Sequence, residues 1–394
     1  MTALGLPAFR LPDISGPLTR LGISPDDQRW LFRAALLALG VRIAILLIAY
    51  FTYYLVIGRE GPGPDAAFHE TLFRWDTANY ERIAESGYPT SGEYQEIIVF
   101  FPLFPFTVKV ISWVIGSFFV SALLLSAVAS VAAGYFLQAM VRLDGGDEGE
   151  ASRSLWYFFL FPTAYFLAVP YTEALFMALL LGSFYFARRQ NWFLAGILGA
   201  FCTATRMQGI LLLPALVVEA AHQANWDWRK LNLKAAWIAL VPYGLGIYLL
   251  LNYQIHGDAF AFVDFQDAFW HHHQVYPWET LDGAIGWVTD TPPGFNRVGI
   301  HEFLLVGTLV ASCLLILGTL AIRPSYLVFG RLSLWFFLSV TFQISMLRYI
   351  MTIFPMYIVL GKLGRNAEAH QAMITVSALL MGALFVVYAT RWGF

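Results

Sequence analysis

The sequence predicts an all-α polytopic membrane protein, and three observations support this fold class. Of the 394 residues, 58% are hydrophobic and 13% are charged, whereas a soluble domain usually carries about 25% charged residues. The mean hydropathy is +0.62. Apolar runs alternate with polar segments, and several runs reach the roughly 20 residues that a helix needs to cross a bilayer. We therefore expect a single transmembrane domain over residues 31–394, preceded by a tail of residues 1–30.

The charge and the cysteine content exclude several classes of protein. The formal net charge is −2, and the sequence has neither a lysine-rich patch nor zinc-ligand spacing, which argues against nucleic acid as a partner. Cys202 and Cys313 lie in different apolar segments, so we interpret them as small buried hydrophobic residues. Residues 1–30 lack the apolar core and the cleavage site of a signal peptide, and we expect this tail to be retained.

The first apolar run, residues 31–57, has four arginines at or before its start, which by the positive-inside rule places the N-terminus in the cytoplasm. Residues 99–119 are apolar but contain Pro102 and Pro105, so we interpret them as a re-entrant or interfacial segment. A full crossing there would move later basic clusters to the external side. The sequence then predicts about eleven transmembrane helices, at residues 31–57, 120–141, 153–168, 171–187, 192–205, 208–221, 235–252, 303–322, 332–344, 349–363 and 372–390.

Two long segments are expected on the external side. Residues 58–119 form the first external loop, whose polar part has eight acidic and three basic residues. Residues 253–300 form the second, with six acidic residues and one basic residue. Two other runs, 192–205 and 208–221, are too short to cross a bilayer of about 30 Å as straight helices. We therefore expect them to form a helical hairpin with Arg206 at its tip.

Charged side chains at membrane depth cost a few kcal/mol each, so they are candidates for function. Four such residues are predicted at the external ends of different helices, namely Asp76, Glu173, Arg206 and Arg348. A carboxylate at the boundary between lipid and water, such as that of Asp76, can serve as a general base. Alternatively, Asp76 or its neighbour Thr77 caps a short helix over residues 78–86.

The two arginines suit an anionic group such as a phosphate, because a guanidinium group stays charged and pairs bidentately with phosphate oxygens. Alternatively, Arg206 and Arg348 extend to the membrane interface, as arginines near helix ends commonly do. Glu173 follows a tight connection between two helices, and its alternative role is that of a first-turn carboxylate favoured by the helix dipole. The sequence leaves these alternatives open.

A metal site is the weaker expectation. His271, His272 and His273 are consecutive, and consecutive residues in an irregular loop do not converge readily on one ion. Three aspartates share that loop, and their oxygens suit Mg²⁺ or Mn²⁺. We expect no cofactor and a metal-independent reaction, with a divalent cation left open. The sequence also contains no G-x-S-x-G motif that would indicate a serine nucleophile.

Six motifs follow one another along the chain: WDTANYERIAESGYP at 75–89, FFPLFP at 100–105, FPTAYFLAVPYTEALF at 161–176, TRMQGILLLP at 205–214, GDAFAFVDFQDAFW at 257–270 and LRYIMTIFP at 347–355. Together they resemble the bacterial relatives of GPI mannosyltransferase II, the PIG-V-like family of the GT-C glycosyltransferases. The likeness extends over about residues 73–362. Six motifs in one order make the resemblance fairly specific, although each motif alone is weak.

The resemblance implies an inverting mannosyltransferase of the bacterial inner (cytoplasmic) membrane, with a GT-C-type fold and the active site on the external, periplasmic side. It implies a polyprenyl-phosphate-sugar donor, with mannose favoured, and a glycolipid or glycan acceptor. Asp76 is the implied catalytic base, and Arg206 and Arg348 are the implied ligands of the donor phosphate. The implied site-lining residues are Trp75, Tyr80, Phe101, Pro102, Tyr171, Glu173, Gln208, Gln266, Trp270 and Tyr349.

The chain departs from the family pattern at two places, and both leave the acceptor open. Met207 and Gln208 stand where Pro-Thr or Ser-Asn is expected after the hairpin arginine, and the histidine triplet is not part of the pattern. A transporter or flippase of lipid-linked sugars is the main alternative function, because it would also use interrupted helices and intramembrane arginines. The clustering of polar groups at one face favours the enzyme. A non-catalytic subunit of a larger transferase is a third interpretation.

Overall fold

The structure is a computed structural model that describes residues 24–57, 64–290, 300–341 and 345–390. These residues are mainly helical and contain no β-strand, only an isolated bridge between Gln274 and Val340. The predicted all-α polytopic fold is confirmed. The α-helices of this part of the chain are α1 (Pro25–Phe51), α2 (Pro64–Leu72), α3 (Thr77–Ser86), α4 (Leu103–Ile115), α5 (Phe118–Leu143), α6 (Glu148–Phe159), α7 (Glu173–Arg188), α8 (Trp192–Thr205), α9 (Leu212–Gln223), α10 (Tyr243–His256), α11 (Ala261–Trp270), α12 (Pro277–Asp290), α13 (Ile300–Leu317), α14 (Pro324–Leu338), α15 (Met346–Ile350), α16 (Pro355–Leu363) and α17 (Ala367–Ala389).

Four helical stretches among the described residues are long and apolar enough to cross a membrane, and they are Pro25–Ile57, Phe118–Leu143, Leu233–His256 and Ala367–Ala389. The first begins earlier than predicted because Ser24 caps α1, accepting from the Asp27 N–H at 3.1 Å, and Pro25 occupies the first helical position. The N–H group at the first helical position has no partner within the helix, so proline, which lacks this group, is tolerated there. Residues 1–23 of the predicted tail lie outside the described residues.

Several predicted spans are divided into shorter pieces. The predicted span 153–168 ends as an α-helix at Phe159, and a 3₁₀-helix at Ala164–Leu167 follows. Pro162 accounts for the break, since proline lacks the backbone donor and its ring excludes a continuous α-helix. The predicted span 349–363 is divided in the same way, because Pro355 starts a new helix after α15.

The predicted span 332–344 is wrong in its bounds, because α14 runs over Pro324–Leu338. The prediction excluded Arg331 from the membrane, yet the helix continues through this residue. The Arg331 Nη2 atom donates to the Thr319 hydroxyl and to the Leu315 carbonyl oxygen, the latter at 3.3 Å. These bonds hold the guanidinium group of this exposed residue against the neighbouring segment, and its charge does not end the helix.

The predicted external loops carry regular structure. The first, residues 58–119, contains α2, α3 and α4, with residues 58–63 outside the described part. The second, residues 253–300, contains α11 and α12, with residues 291–299 outside it. The sidechain amide oxygen of Asn252 accepts from the Phe262 N–H at 3.1 Å, which fixes the start of α11 against α10. The described parts of both loops therefore contain helices joined by irregular segments, one of which carries the histidine triplet.

The segment 99–119 does not change sides of the helical bundle. Its helix, α4, has 13 residues, about 20 Å at the α-helical rise, which is shorter than the bilayer core of about 30 Å. Glu148 accepts from Arg33, near the start of α1, at 2.6 Å and lies 3.5 Å from Arg142, near the end of α5. The end of α5 therefore lies beside the start of α1, and α4 makes no crossing between them.

Two polar clusters lie at the two ends of α7. Glu173 is the first residue of this helix and Arg188 is the last of its 16 residues, about 22 Å apart at the α-helical rise. Arg188 pairs with Asp144 between α5 and α6, and the buried carboxylate of Glu219 accepts from Arg323 Nη2 at 2.8 Å. Two of the basic residues predicted to be cytoplasmic, Arg188 and Arg323, thus meet at Glu219 near one end of α7. Glu173 at the other end pairs with Arg206 and Arg348, which are predicted to be external.

Cysteine labelling tests which end faces the cell exterior. In a background without the two native cysteines, a membrane-impermeant maleimide added from outside should react with cysteine at Ser91 or Glu279. It should not react at Gln190 or Asn232, and all four positions are exposed in the structure. Reaction at Gln190 in intact cells would reverse the predicted orientation. Labelling of all four positions after permeabilisation controls for access.

Candidate active site

A cavity of about 460 Å³ lies where α3, the segment before α4, the tip between α8 and α9, α11 and the region around α15 meet. Its walls include eleven of the thirteen residues that the sequence predicts for the site, which are Trp75, Asp76, Tyr80, Phe101, Tyr171, Arg206, Gln208, Gln266, Trp270, Arg348 and Tyr349. Two predicted residues do not line it. Pro102 is buried at the start of α4, and Glu173 lies behind the two arginines.

Asp76 immediately precedes α3, but its side chain does not cap this helix. The backbone N–H of Asp76 donates to the Tyr171 hydroxyl at 3.3 Å, and this hydroxyl donates to the Arg74 carbonyl oxygen at 3.0 Å. Tyr171 therefore fixes the backbone on both sides of Trp75. The capping alternative is wrong for the Asp76 carboxylate, which points to Arg348 instead.

Trp75 has a left-handed backbone conformation, with φ of 53°. Bulky residues rarely adopt positive φ, and such conformations cost about 1 to 3 kcal/mol where the surrounding structure enforces them. The side chain is 45% exposed and lines the cavity next to Asp76. The turn thus places a large aromatic face beside the carboxylate.

A network of two arginines and two carboxylates lies at one wall of the cavity, with Glu173 behind the residues that line it. Arg348 Nη1 donates to Asp76 Oδ2 at 2.8 Å, and Arg348 Nε donates to Glu173 Oε1. Arg206 Nη1 donates to the same Glu173 oxygen and to the Thr172 hydroxyl at 3.0 Å. The network joins side chains from four separate parts of the chain.

The side chains of this network differ in how far they are buried. Glu173 is fully buried, and its Oε2 atom has no hydrogen-bond partner among the described residues. The side chains of Arg206 and Arg348 are 13% and 10% exposed, whereas that of Asp76 is 24% exposed. The interfacial alternative is wrong for both arginines, because their guanidinium groups lie in buried ion pairs. A buried pair of this kind needs both partners, since an unpaired buried charge is strongly destabilising.

Aromatic rings hold the two guanidinium groups. The Arg348 guanidinium carbon lies 4.6 Å from the centroid of the Tyr171 ring and 5.0 Å from that of Phe166. The Arg206 guanidinium carbon lies 5.5 Å from the centroid of the Tyr349 ring. These distances suit cation–π attraction. Burial, and next the nearby charge of Asp76, raise the pKa of Tyr80 above its usual value, so its hydroxyl stays neutral.

Arg206 lies at the tip as predicted, extended between α8 and a 3₁₀-helix at Met207–Leu211, but the second helix, predicted at 208–221, begins only at Leu212. Gly209 allows this tip, because a Cβ there would lie 2.7 Å from the Cys202 carbonyl group. Gln208 fastens the tip: its amide donates to Ser333 Oγ at 3.1 Å and accepts from Thr352 Oγ1 at 2.8 Å. Gln208 thus lies at the cavity with its polar atoms bonded to protein.

Sequence reasoning missed Arg42, which lies within the long apolar α1. Its Nη2 atom donates to the Leu167 carbonyl oxygen at 2.7 Å, and Nη1 donates to the Ala38 carbonyl oxygen at 3.2 Å. Helix ends expose carbonyl groups that need donors at membrane depth. Arg42 supplies such a donor to Leu167, in the segment that leads to Tyr171. A lone arginine in an apolar run was the available signal.

The histidine triplet lies at the mouth of the site. His272 lines the cavity, and His273 pairs with Asp267 on α11. Within residues 24–57, 64–290, 300–341 and 345–390, no three His, Cys, Asp or Glu side chains lie close enough to share a metal ion. A metal-independent reaction stays a prediction from the sequence.

The fold and the site define an integral membrane protein with arginine-paired carboxylates beside a cavity, which suits an enzyme acting on an anionic substrate. Residues 65–269 match the family model described as Mannosyltransferase (PIG-V). This match covers more than half of the chain, so the chain belongs to that mannosyltransferase family and is a glycosyltransferase. A comparison with curated proteins finds no match. The matched residues include Asp76, Glu173 and Arg206, whereas Arg348 lies beyond them.

Proposed function

We propose that this protein transfers mannose from a polyprenyl-phosphate donor to a hydroxyl group of a glycolipid or glycan acceptor, with inversion of the anomeric centre. The observation that carries the proposal is the wall of the cavity on which Asp76 pairs with Arg348, while one buried carboxylate, Glu173, holds both Arg348 and Arg206. Family membership supports mannose as the transferred sugar. The same membership favours an enzyme over a transporter or flippase.

The donor phosphate is assigned to Arg206 and Arg348. Both arginines line the cavity, and both are fixed by Glu173 and by aromatic rings before any ligand arrives. Charge-assisted hydrogen bonds from fixed guanidinium groups are about twice as strong as neutral ones. The polyprenyl chain of the donor would remain in the membrane, and the anionic group would meet the arginines at the membrane boundary.

Asp76 is assigned as the general base. Its carboxylate is the most exposed acidic group of the network and lines the cavity. The acceptor oxygen attacks the anomeric carbon, its proton passes to Asp76, and the bond from the anomeric carbon to the phosphate oxygen breaks with its electron pair. The arginines stabilise the charge that develops on the phosphate, and such preorganised charge is effective away from bulk water.

The reaction is assigned to the external face of the membrane. Arg188 and Arg323 lie at the end of α7 opposite the cavity, and basic clusters favour the cytoplasmic side. In a bacterial cell this orientation would place the active site on the periplasmic side of the inner membrane. No metal or other cofactor is part of the proposed reaction, and water-exposed acceptors could reach the cavity from outside.

The donor is tested with purified protein in liposomes that contain polyprenyl-phosphate mannose and a panel of glycolipid acceptors. We expect mannose transfer in the presence of a divalent-metal chelator, and a product whose new linkage has the opposite anomeric configuration to the donor. Matched reactions with nucleotide-activated mannose should give no product. Transfer from the nucleotide sugar alone, or retention of configuration, would contradict the proposal.

A further inference from the structure

Arg348 contacts two carboxylates whose surroundings differ. Its Nε atom donates to Glu173, which is fully buried, and its Nη1 atom donates at 2.8 Å to Asp76, whose side chain is 24% exposed. We propose that Arg348 exchanges Asp76 for the phosphate of the leaving group during the reaction, while Glu173 keeps its guanidinium group in place. Proton uptake by Asp76 and departure of the polyprenyl phosphate would then be coupled through one side chain. This inference rests on the proposed function.

The geometry separates a fixed side of Arg348 from an exchangeable one. Glu173 holds the Nε side, and the rings of Tyr171 and Phe166 lie 4.6 and 5.0 Å from the guanidinium carbon. The Nη1 side faces Asp76 at the cavity. A ligand entering the cavity therefore meets the one bond of Arg348 that can break without exposing a buried carboxylate.

The charges balance at each stage of the transfer. Two arginines and two ionised carboxylates have a formal net charge of zero, and a phosphodiester donor adds one negative charge. When the acceptor proton moves to Asp76, the network becomes positive by one unit. At the same time the phosphate gains the electron pair of the broken bond, and the released monophosphate carries a charge of about −1.5 to −2 at pH 7. Protonation of Asp76 thus releases Arg348 to bind the phosphate at the stage when negative charge develops on the leaving group.

This exchange has a consequence for the resting protein. While Asp76 is ionised, it competes with the donor phosphate for the Nη atoms of Arg348. Removing the charge of Asp76 should therefore tighten donor binding, although it removes the base. If Asp76 acted as the base without sharing Arg348 with the phosphate, removing its charge would not increase donor affinity, because the phosphate site would be unchanged.

The test measures binding of polyprenyl-phosphate mannose to the wild type and to Asp76→Asn in nanodiscs without an acceptor. We expect the variant to bind about tenfold more tightly, which corresponds to about 1.4 kcal/mol. The gain should disappear when Arg348→Ala is the background, because the shared cation is then absent. Glu85→Gln is the matched control, since it removes the same charge from the exposed end of α3, and it should leave the affinity unchanged.

Three results separate this inference from the proposed function. If the wild type neither binds the donor nor transfers mannose, the proposed function fails, and the inference fails with it. If the wild type does both but Asp76→Asn binds with unchanged or lower affinity, the exchange alone is wrong. A gain that persists in the Arg348→Ala background also refutes the exchange. Should Asp76→Asn not yield folded protein, Asp76→Ser provides the same comparison, and thermal unfolding verifies that each variant is folded.

Discussion

Asparagine at position 76 is expected to lower mannose transfer by about 10²- to 10⁴-fold, the range usual for loss of a general base. The amide cannot take the acceptor proton, although its size matches that of the carboxylate. The structure removes a competing explanation, since the Asp76 side chain does not cap α3. The measurement is kcat for transfer at saturating donor, compared between the wild type and Asp76→Asn.

The control for this prediction is Glu85→Gln, at the exposed end of the same helix, which should retain wild-type turnover. Thermal unfolding of both variants tests whether a loss of turnover is caused by a loss of folded protein. Near-normal turnover of Asp76→Asn would remove Asp76 from the reaction and leave the cavity without an assigned base.

Alanine at Arg206 or Arg348 is expected to weaken donor affinity by about ten- to a hundredfold, because each charge-assisted hydrogen bond to the phosphate contributes about 1.5 to 3 kcal/mol. Arg348→Ala also leaves Glu173 with one arginine instead of two. Binding of polyprenyl-phosphate mannose to the two variants, measured side by side, provides the comparison.

Lysine at the same positions should restore only part of the affinity, since it keeps the charge but lacks the planar fork that bonds Glu173 and phosphate together. Arg229→Ala is the matched control, because Arg229 is exposed and lies beside Trp228 away from the cavity. Wild-type donor affinity in both lysine variants would remove the phosphate assignment and leave that of Asp76 standing.

The sequence predicts which residues form the site better than it predicts the contacts between them. Asp76 stands out as a carboxylate in a polar segment between apolar runs, and Arg206 as a charge at the tip of two short helices. The ion pair between Asp76 and Arg348 joins residues 272 positions apart, and no local pattern encodes such a contact. From the sequence alone we expect Asp76→Asn to leave donor affinity nearly intact. The shared Arg348 changes this expectation to a gain.

The helix bounds also differ in how well the sequence predicts them. The hairpin helix at residues 192–205 is predicted with its observed bounds, because a glycine and a charged tip mark its end. The bounds around Arg331 are not, since the predicted span begins after this charged residue, whereas α14 begins at Pro324. In the folded protein the carbonyl group and the hydroxyl that satisfy Arg331 come from the neighbouring segment 315–319. Partners supplied by other helices are therefore what the sequence does not reveal.

The position of Arg348 also affects biosynthesis. Arg348 follows Glu173 by 175 residues and Asp76 by 272 residues, so the ribosome adds it after most of the chain. Until then, Arg206 is the only one of the two arginines present to neutralise the buried Glu173. A chain stopped before residue 348 has both carboxylates and one cation, and it cannot form the complete network. The complete network therefore forms only after the segment that carries Arg348 has been added.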